Sequence, residues 1–263
     1  MSLTFKQAFD RAAGENRAAF MPFVSGGYPD LARFGELVRE LDRVGADVIE
    51  VGIPYADPLA DGPVIMRASQ AALEAGANPR ALLEVLEGVS PGLGAALAVM
   101  TYYNPVHHLG LGEFARACRA AGAAGVIIPD LPVEEAGDWI RAARDQDLDT
   151  VFLVAPTTTP ERLPAILQVC RGFVYYVSLA GVTGSKLDLA GGLLAEVARV
   201  KQAAGLPVAV GFGVSAPEEA AALARVADGV IVGSALVREL LEAGGEPGPA
   251  LALAARLRAA CVR

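Results

Sequence analysis

A chain of 263 residues, 53% hydrophobic and 20% charged, carries enough apolar surface for one large core and has the size of an α/β barrel, which excludes a disordered chain. Its 22 basic and 30 acidic residues leave a net charge of −8 with no basic cluster, so nucleic acid and anionic membranes are poor partners. No apolar run nears the roughly 20 residues that cross a bilayer, and the first ten residues lack the basic start and apolar centre of a secretory signal, so a cytoplasmic location is expected.

In chain order, a helical pattern at 4–15 comes first and is placed to cap the bottom of a barrel. Short β-branched runs follow at 18–24, 47–52, 95–101, 125–129, 149–154, 173–178, 207–211 and 229–232. Amphipathic patterns separate them, among them 31–44, 112–121, 134–144 and 217–225, with helices at 235–241 and 249–262 after the last run. The alternation predicts a (β/α)8 TIM barrel with an extra N-terminal helix and a C-terminal helix. It forms one domain over 1–263, since no linker or composition shift divides the chain. A doubly wound open sheet is the alternative, but it usually has fewer strands and a glycine fingerprint after the first, where this chain has Ser25-Gly-Gly-Tyr-Pro. Three joints run from helix end through small residues to strand: Val44-Gly-Ala-Asp, Ala121-Gly-Ala-Ala and Val226-Ala-Asp-Gly. Glycine at a helix C′ position is expected there, left-handed, to stop the helix.

Several residue types point away from metal or covalent chemistry. Cys118, Cys170 and Cys261 are scattered and read as reduced core or helix-face residues. His107 and His108 are adjacent, so they diverge on any regular element and cannot share a metal; a capping or surface role suits them better. Of the lysines at 6, 186 and 201, only Lys186 falls in a loop at the top of the barrel, which makes a Schiff-base aldolase a poor second reading. Trp139 sits in a helical pattern and reads as packing.

The second run carries the first chemical signal. Val48, Glu50 and Gly52 share one strand face, and Ile49 and Val51 share the other. Ile49 and Val51 suit the helix side, which turns Glu50 into the barrel near the strand's C-terminal end, where barrel active sites lie. An unpaired carboxyl there costs desolvation and titrates high, while a structural role would need a buried polar partner. The proline-rich segment 54–63 must lie over the barrel mouth as a defined lid, and Asp61 within it either faces Glu50 across a pocket or caps the helix that begins near Pro63.

Glycine segments follow the last three runs: Gly181-Val-Thr-Gly-Ser, Gly211-Phe-Gly-Val-Ser and Gly233-Ser-Ala. Backbone N–H groups there, with the start of the helix at 235, suit a phosphate, and no Walker motif suggests ATP.

The segments Ile49-Glu-Val-Gly-Ile-Pro-Tyr-Ala-Asp-Pro-Leu-Ala-Asp-Gly-Pro, Ala180-Gly-Val-Thr-Gly, Gly211-Phe-Gly-Val-Ser and Val232-Gly-Ser-Ala together resemble the tryptophan synthase alpha chain family, over essentially the whole chain. The resemblance implies a lyase that cleaves indole-3-glycerol phosphate to indole and glyceraldehyde 3-phosphate without a cofactor of its own. It implies that Glu50 is the acid–base residue and that Asp61 holds the indole N–H. Phe23, Tyr175 and Phe212 would line the indole pocket, Thr183 would close over Asp61, and Gly184, Gly213, Gly233 and Ser234 would hold the phosphate. It further implies an alpha-beta-beta-alpha complex with a beta chain, which alone carries pyridoxal phosphate. Pro54, Asp57 and Pro58 would then be partner contacts. Leu179 stands where some relatives have Arg, so any contact of that guanidinium in loop closure is absent.

Overall fold

Alternate strand residues point to opposite faces, and burial shows where each face goes. The computed structural model describes residues 3–177, 192–211 and 213–263. Its strands are β1 (Ala19–Ser25), β2 (Val48–Gly52), β3 (Ala96–Met100), β4 (Ala123–Ile127), β5 (Asp149–Val154), β6 (Val174–Val177), β7 (Val208–Gly211) and β8 (Gly229–Val232). They pair in parallel in that order, and β8 pairs back onto β1, which closes the barrel. The helices are α1 (Phe5–Gly14), α2 (Leu31–Val44), α3 (Pro63–Glu74), α4 (Pro79–Val89), α5 (Tyr103–Leu109), α6 (Leu111–Ala120), α7 (Gly137–Arg144), α8 (Leu163–Val169), α9 (Leu193–Ala204), α10 (Pro217–Ala224), α11 (Ser234–Glu242) and α12 (Gly248–Ala260). The fold is the TIM barrel expected, with α1 ahead of the first strand and α12 after the last helix of the repeat.

Three details differ from the expectation. β4 starts at Ala123, two residues before the run at 125–129, and ends at Ile127. The pattern at 134–144 is divided: a 3-10 turn at Val133–Glu135 follows Pro132, whose carbonyl accepts the Glu135 N–H at 3.0 Å, before α7 begins. Of the three joints, Gly45 and Gly122 are left-handed, with φ of 96° and 82°, but Gly229 is the first residue of β8. It is glycine for want of room, since a Cβ there would stand 2.8 Å from the Met21 sulfur and 3.0 Å from the Ala209 Cβ.

The apolar residues separate into two cores. Phe20, Val24, Ile49, Val51, Leu97 and Val99 join the helix faces in an outer layer. Ala19, Met21, Val48, Ala98, Val151, Tyr175 and Ile231 fill the lumen. Phe5 and Phe9 of α1 belong to the lumen core and meet Phe173 with ring centroids 5.1 and 5.6 Å apart, so α1 plugs the bottom as expected. Trp139 packs in the outer layer against Phe114, and all three cysteines are buried and free. His107 and His108 are exposed in the last turn of α5, where a cation would complement the helix dipole. No helix among the described residues is long and apolar enough to cross a membrane.

Beneath the lumen, buried Asp47 collects three chain segments. Its carboxylate accepts from both Nη atoms of Arg17, from Arg11 and, at 2.9 Å, from the Phe20 N–H. Arg17 is only 4% exposed and keeps Glu15 at 2.7 Å on its Nε, but removing Asp47 strips both Nη atoms of this buried cation of their carboxylate. Asp47→Ala should therefore cost about 3–5 kcal/mol in unfolding free energy, measured by urea denaturation at neutral pH. A loss below 1 kcal/mol would mean that the pair contributes little to holding the barrel floor.

Candidate active site

The C-terminal ends of the strands surround a cleft. Its wall includes Phe23, Glu50, Asp61, Ile65, Met100, Tyr175, Gly213, Val214, Ile231, Gly233 and Ser234. Strand parity accounts for most of this set. Phe23 of β1 stands in register with Glu50 of β2, and Tyr175 and Ile231 lie on the inward faces of β6 and β8. Gly52 leaves room for the Phe23 ring, since a Cβ there would meet the ring at 2.6 Å. Gly211 does the same for Tyr175, whose hydroxyl would stand 2.6 Å from an added Cβ.

Glu50 is 1% exposed, and neither of its carboxyl oxygens has a hydrogen-bond partner among the described residues. Burial, and next the nearby charge of Asp61, push its pKa up to about 8. The structural alternative for Glu50 required a buried polar partner, and none holds it among the described residues. Asp61 is half-buried on the loop after β2 and does not cap α3, whose N-cap Gly62 has no side-chain cap. Burial raises the Asp61 pKa, and a hydrogen bond from the Tyr102 hydroxyl opposes that rise. The two carboxyls thus share one cleft with different support. Glu50 is bare and neutral at pH 7, whereas Asp61 has a donor that favours its charge.

At the other end of the cleft, Gly213 is left-handed at φ 85°, and Gly233 and Ser234 begin α11 with no side-chain cap. The start of α10 contrasts with this, because the Glu219 carboxylate accepts from the N–H groups of Ser215 and Ala216 at 2.7 and 3.0 Å. The uncapped α11 start leaves its N–H groups and dipole for an anion from solvent. The carboxyls and this anion end are near neighbours on the mouth: β1 alone stands between β2 and β8, and Phe23 bridges them.

Thr183, Gly184, Lys186, Phe212 and Leu179 lie outside the described residues. Asp57 is exposed and Pro58 half-buried, while Pro54 is buried, so of the three only the first two offer side-chain surface. Sequence reading missed Met100 and Ile231, which strand parity could have found, and Ile65 and Val214, which it could not. No group of three or more His, Cys, Asp or Glu among the described residues is arranged to hold a metal ion.

A model of the family described as tryptophan synthase alpha chain matches residues 9–257. The protein of that name from Deinococcus radiodurans is 46% identical over 97% of this chain and 93% of its own length. One from Gloeobacter violaceus is 45% identical over 91% and 87%. Among solved structures, a chain of Mycobacterium tuberculosis tryptophan synthase superposes with a TM-score of 0.91 at 43% identity, covering 100% of both chains. A chain of the tryptophan synthase complex from Pyrococcus furiosus gives 0.85 at 34% identity, covering 93% of this chain and 99% of its own.

The Glu50 titration has a consequence for stability. In the unfolded chain the carboxyl ionises near 4.5 and in the folded protein at about 8. Between those values the folded state holds a proton that the unfolded state has released, so stability falls with rising pH by up to about 1.4 kcal/mol per unit. Below this window both states are neutral at 50, and above it the slope vanishes. Glu50→Gln removes the titration. Its stability advantage over the native protein should grow from pH 5 to 8 and then level off, read by denaturant melts across that range; a constant difference would contradict the raised pKa.

Proposed function

The chain belongs to the tryptophan synthase alpha chain family, and from that premise we propose that Glu50 and Asp61 carry its reaction, with the phosphate seated at Gly213, Gly233 and Ser234. The protein is a lyase that cleaves indole-3-glycerol phosphate in the biosynthesis of tryptophan. The observation that supports these roles is the sharing of one cleft by a bare, neutral carboxyl, a second carboxyl with a donor, and an uncapped helix start.

The chemistry needs a proton delivered to C3 of the indole and another removed from the hydroxyl on the adjoining glycerol carbon. Protonated Glu50 gives its proton to C3, which leaves a positive charge delocalised onto the ring nitrogen. Asp61 accepts the indole N–H and stabilises that charge. The Glu50 carboxylate then takes the hydroxyl proton. The O–H pair becomes the aldehyde C=O bond, the C–C bond to C3 breaks, and its electrons return to the ring. Indole and glyceraldehyde 3-phosphate leave, and Glu50 ends protonated as it began. A pKa of about 8 suits both halves of this shuttle.

Phe23 and Tyr175, with Phe212, clasp the indole, and Thr183 closes over Asp61 while Gly184 completes the phosphate seat. A tryptophan synthase beta chain is the partner, in an alpha-beta-beta-alpha assembly. Pyridoxal phosphate is held there and not in this chain, and Asp57 and Pro58 contribute to docking. All of 1–263 acts as one cytoplasmic barrel domain in this reading.

Indole release from indole-3-glycerol phosphate tests the assignment. Glu50→Gln should lower kcat by about 100-fold or more while substrate binding survives. Turnover retained in that variant would remove Glu50 from the chemistry, and interconversion of aldose and ketose phosphates without indole release would point to a sugar isomerase. Adding the beta chain should raise the rate of the isolated protein; an isolated chain that already runs at full rate would count against the partner's activating role.

A further inference from the structure

Tyr102 is not part of the cleft wall, yet it is 3% exposed and meets the lid from beneath. It is the N-cap residue of α5, two positions past the end of β3, and its backbone is extended there. The next residue is anchored too, because the Asp130 carboxylate accepts the Tyr103 N–H at 2.8 Å. The Tyr102 ring lies against Tyr55, with centroids 5.6 Å apart. The Tyr55 hydroxyl in turn accepts a hydrogen bond from the Asn104 amide at 2.8 Å. At its tip, the Tyr102 hydroxyl accepts the Ala60 N–H at 3.1 Å and faces the Asp61 carboxyl, whose pKa it lowers. A phenol has one proton to donate, and with Ala60 supplying the other hydrogen, that proton goes to the carboxylate.

We propose that Tyr102 is the positioning residue of this enzyme: its hydroxyl fastens the lid at two consecutive residues and fixes the Asp61 carboxylate for the indole N–H. The proposal rests on the role given to Asp61 above. Without this bond, Asp61 would ride on an exposed loop held by few side chains, since Ala56, Asp57, Leu59 and Ala60 are all exposed. With it, the carboxylate is referred to β3 and α5, which belong to the rigid barrel. Preorganisation of this kind matters because a carboxylate that must reorient as charge develops stabilises that charge less.

The bond also biases titration. Among the described residues, the groups that face Asp61 are Glu50 from β2, Tyr102 from the start of α5 and Tyr175 from β6, and Asp130 acts on Tyr102 from the loop after β4. Among these, the Tyr102 bond lowers the Asp61 pKa while burial raises it. Burial and the Asp61 charge hold the Tyr102 hydroxyl far above its ordinary 10.0, so it stays a donor throughout the working range.

The experiment is the pH profile of kcat/KM for indole release, in the presence of the beta chain. Ionised Asp61 governs the acidic limb and protonated Glu50 the alkaline one. Tyr102→Phe keeps the ring on Tyr55 and removes only the hydroxyl. It should move the acidic limb upward by about half a unit or more, leave the alkaline limb in place, and lower kcat/KM by about 10-fold. A 3,5-difluorotyrosine at 102, a stronger donor, should move the acidic limb the other way, which keeps the test valid even if the Phe variant folds poorly. In an Asp61→Asn background, Tyr102→Phe should cost almost nothing more.

The two claims fail differently. If Asp61→Asn abolishes turnover but neither change at 102 moves the acidic limb, Tyr102 is merely structural and the role of Asp61 stands. If Asp61→Asn leaves turnover intact, both are overturned.

Discussion

In a closed parallel barrel every second side chain must enter the lumen, and there is no other place for it to go. That parity governs the rest of this molecule. It sends Ile49 and Val51 to the helices and Val48 and Glu50 inward, and it brings Phe23, Tyr175 and Ile231 to the same cleft from distant parts of the chain. The lower lumen is filled by apolar side chains and closed by Phe5 and Phe9, so the one carboxyl on the inward face of β2 is buried with no hydrogen-bond partner among the described residues. Its proton affinity follows first from that burial and next from the charge of neighbouring Asp61.

The cleft then divides its electrostatic work by distance from this point. Beside Glu50, Asp61 has a phenolic donor and the mouth of the barrel on its outer side. One strand further on, the polarity reverses: the uncapped start of α11 offers N–H groups, and the neighbouring α10 has its own start occupied by Glu219. Phe23 of β1 lies between the acidic and the anion-accepting parts. In the proposed reading, a substrate with an aromatic nitrogen at one end and a phosphate at the other would span that short arc.

Much of this was legible before the fold was known. Eight β-branched runs predicted eight strands, and the parity of residues 47–52 alone turned Glu50 inward. Gly213, Gly233 and Ser234 were also found where glycine segments follow strands. The arguments that failed were local ones given a single cause. Gly229 was read as a helix stop, but the lumen has no room for a side chain at that point. The pattern at 134–144 kept helical spacing through a 3-10 turn, because a periodicity does not record which carbonyl each N–H finds. Asp61 could not be separated from an ordinary cap by its neighbours, since what distinguishes it is Tyr102, 41 positions away and visible only when β3 lies beside β2.

The seam between β1 and β8 joins residues 19–22 to 229–232, and an isolated bridge pairs Arg17 with Val262. Contacts of such sequence separation form late, because the entropy of closing the intervening chain must first be met. During synthesis the earlier βα units therefore emerge as an open, curling sheet whose future lumen, with Met21, Val48 and Ala98, faces water or a chaperone. The α1 plug has no finished barrel to enter until β8 arrives. Synthesis halted before residue 229 would leave a sticky intermediate and not a smaller enzyme, which makes nearly the full length of the chain the minimal unit that can hide its own interior.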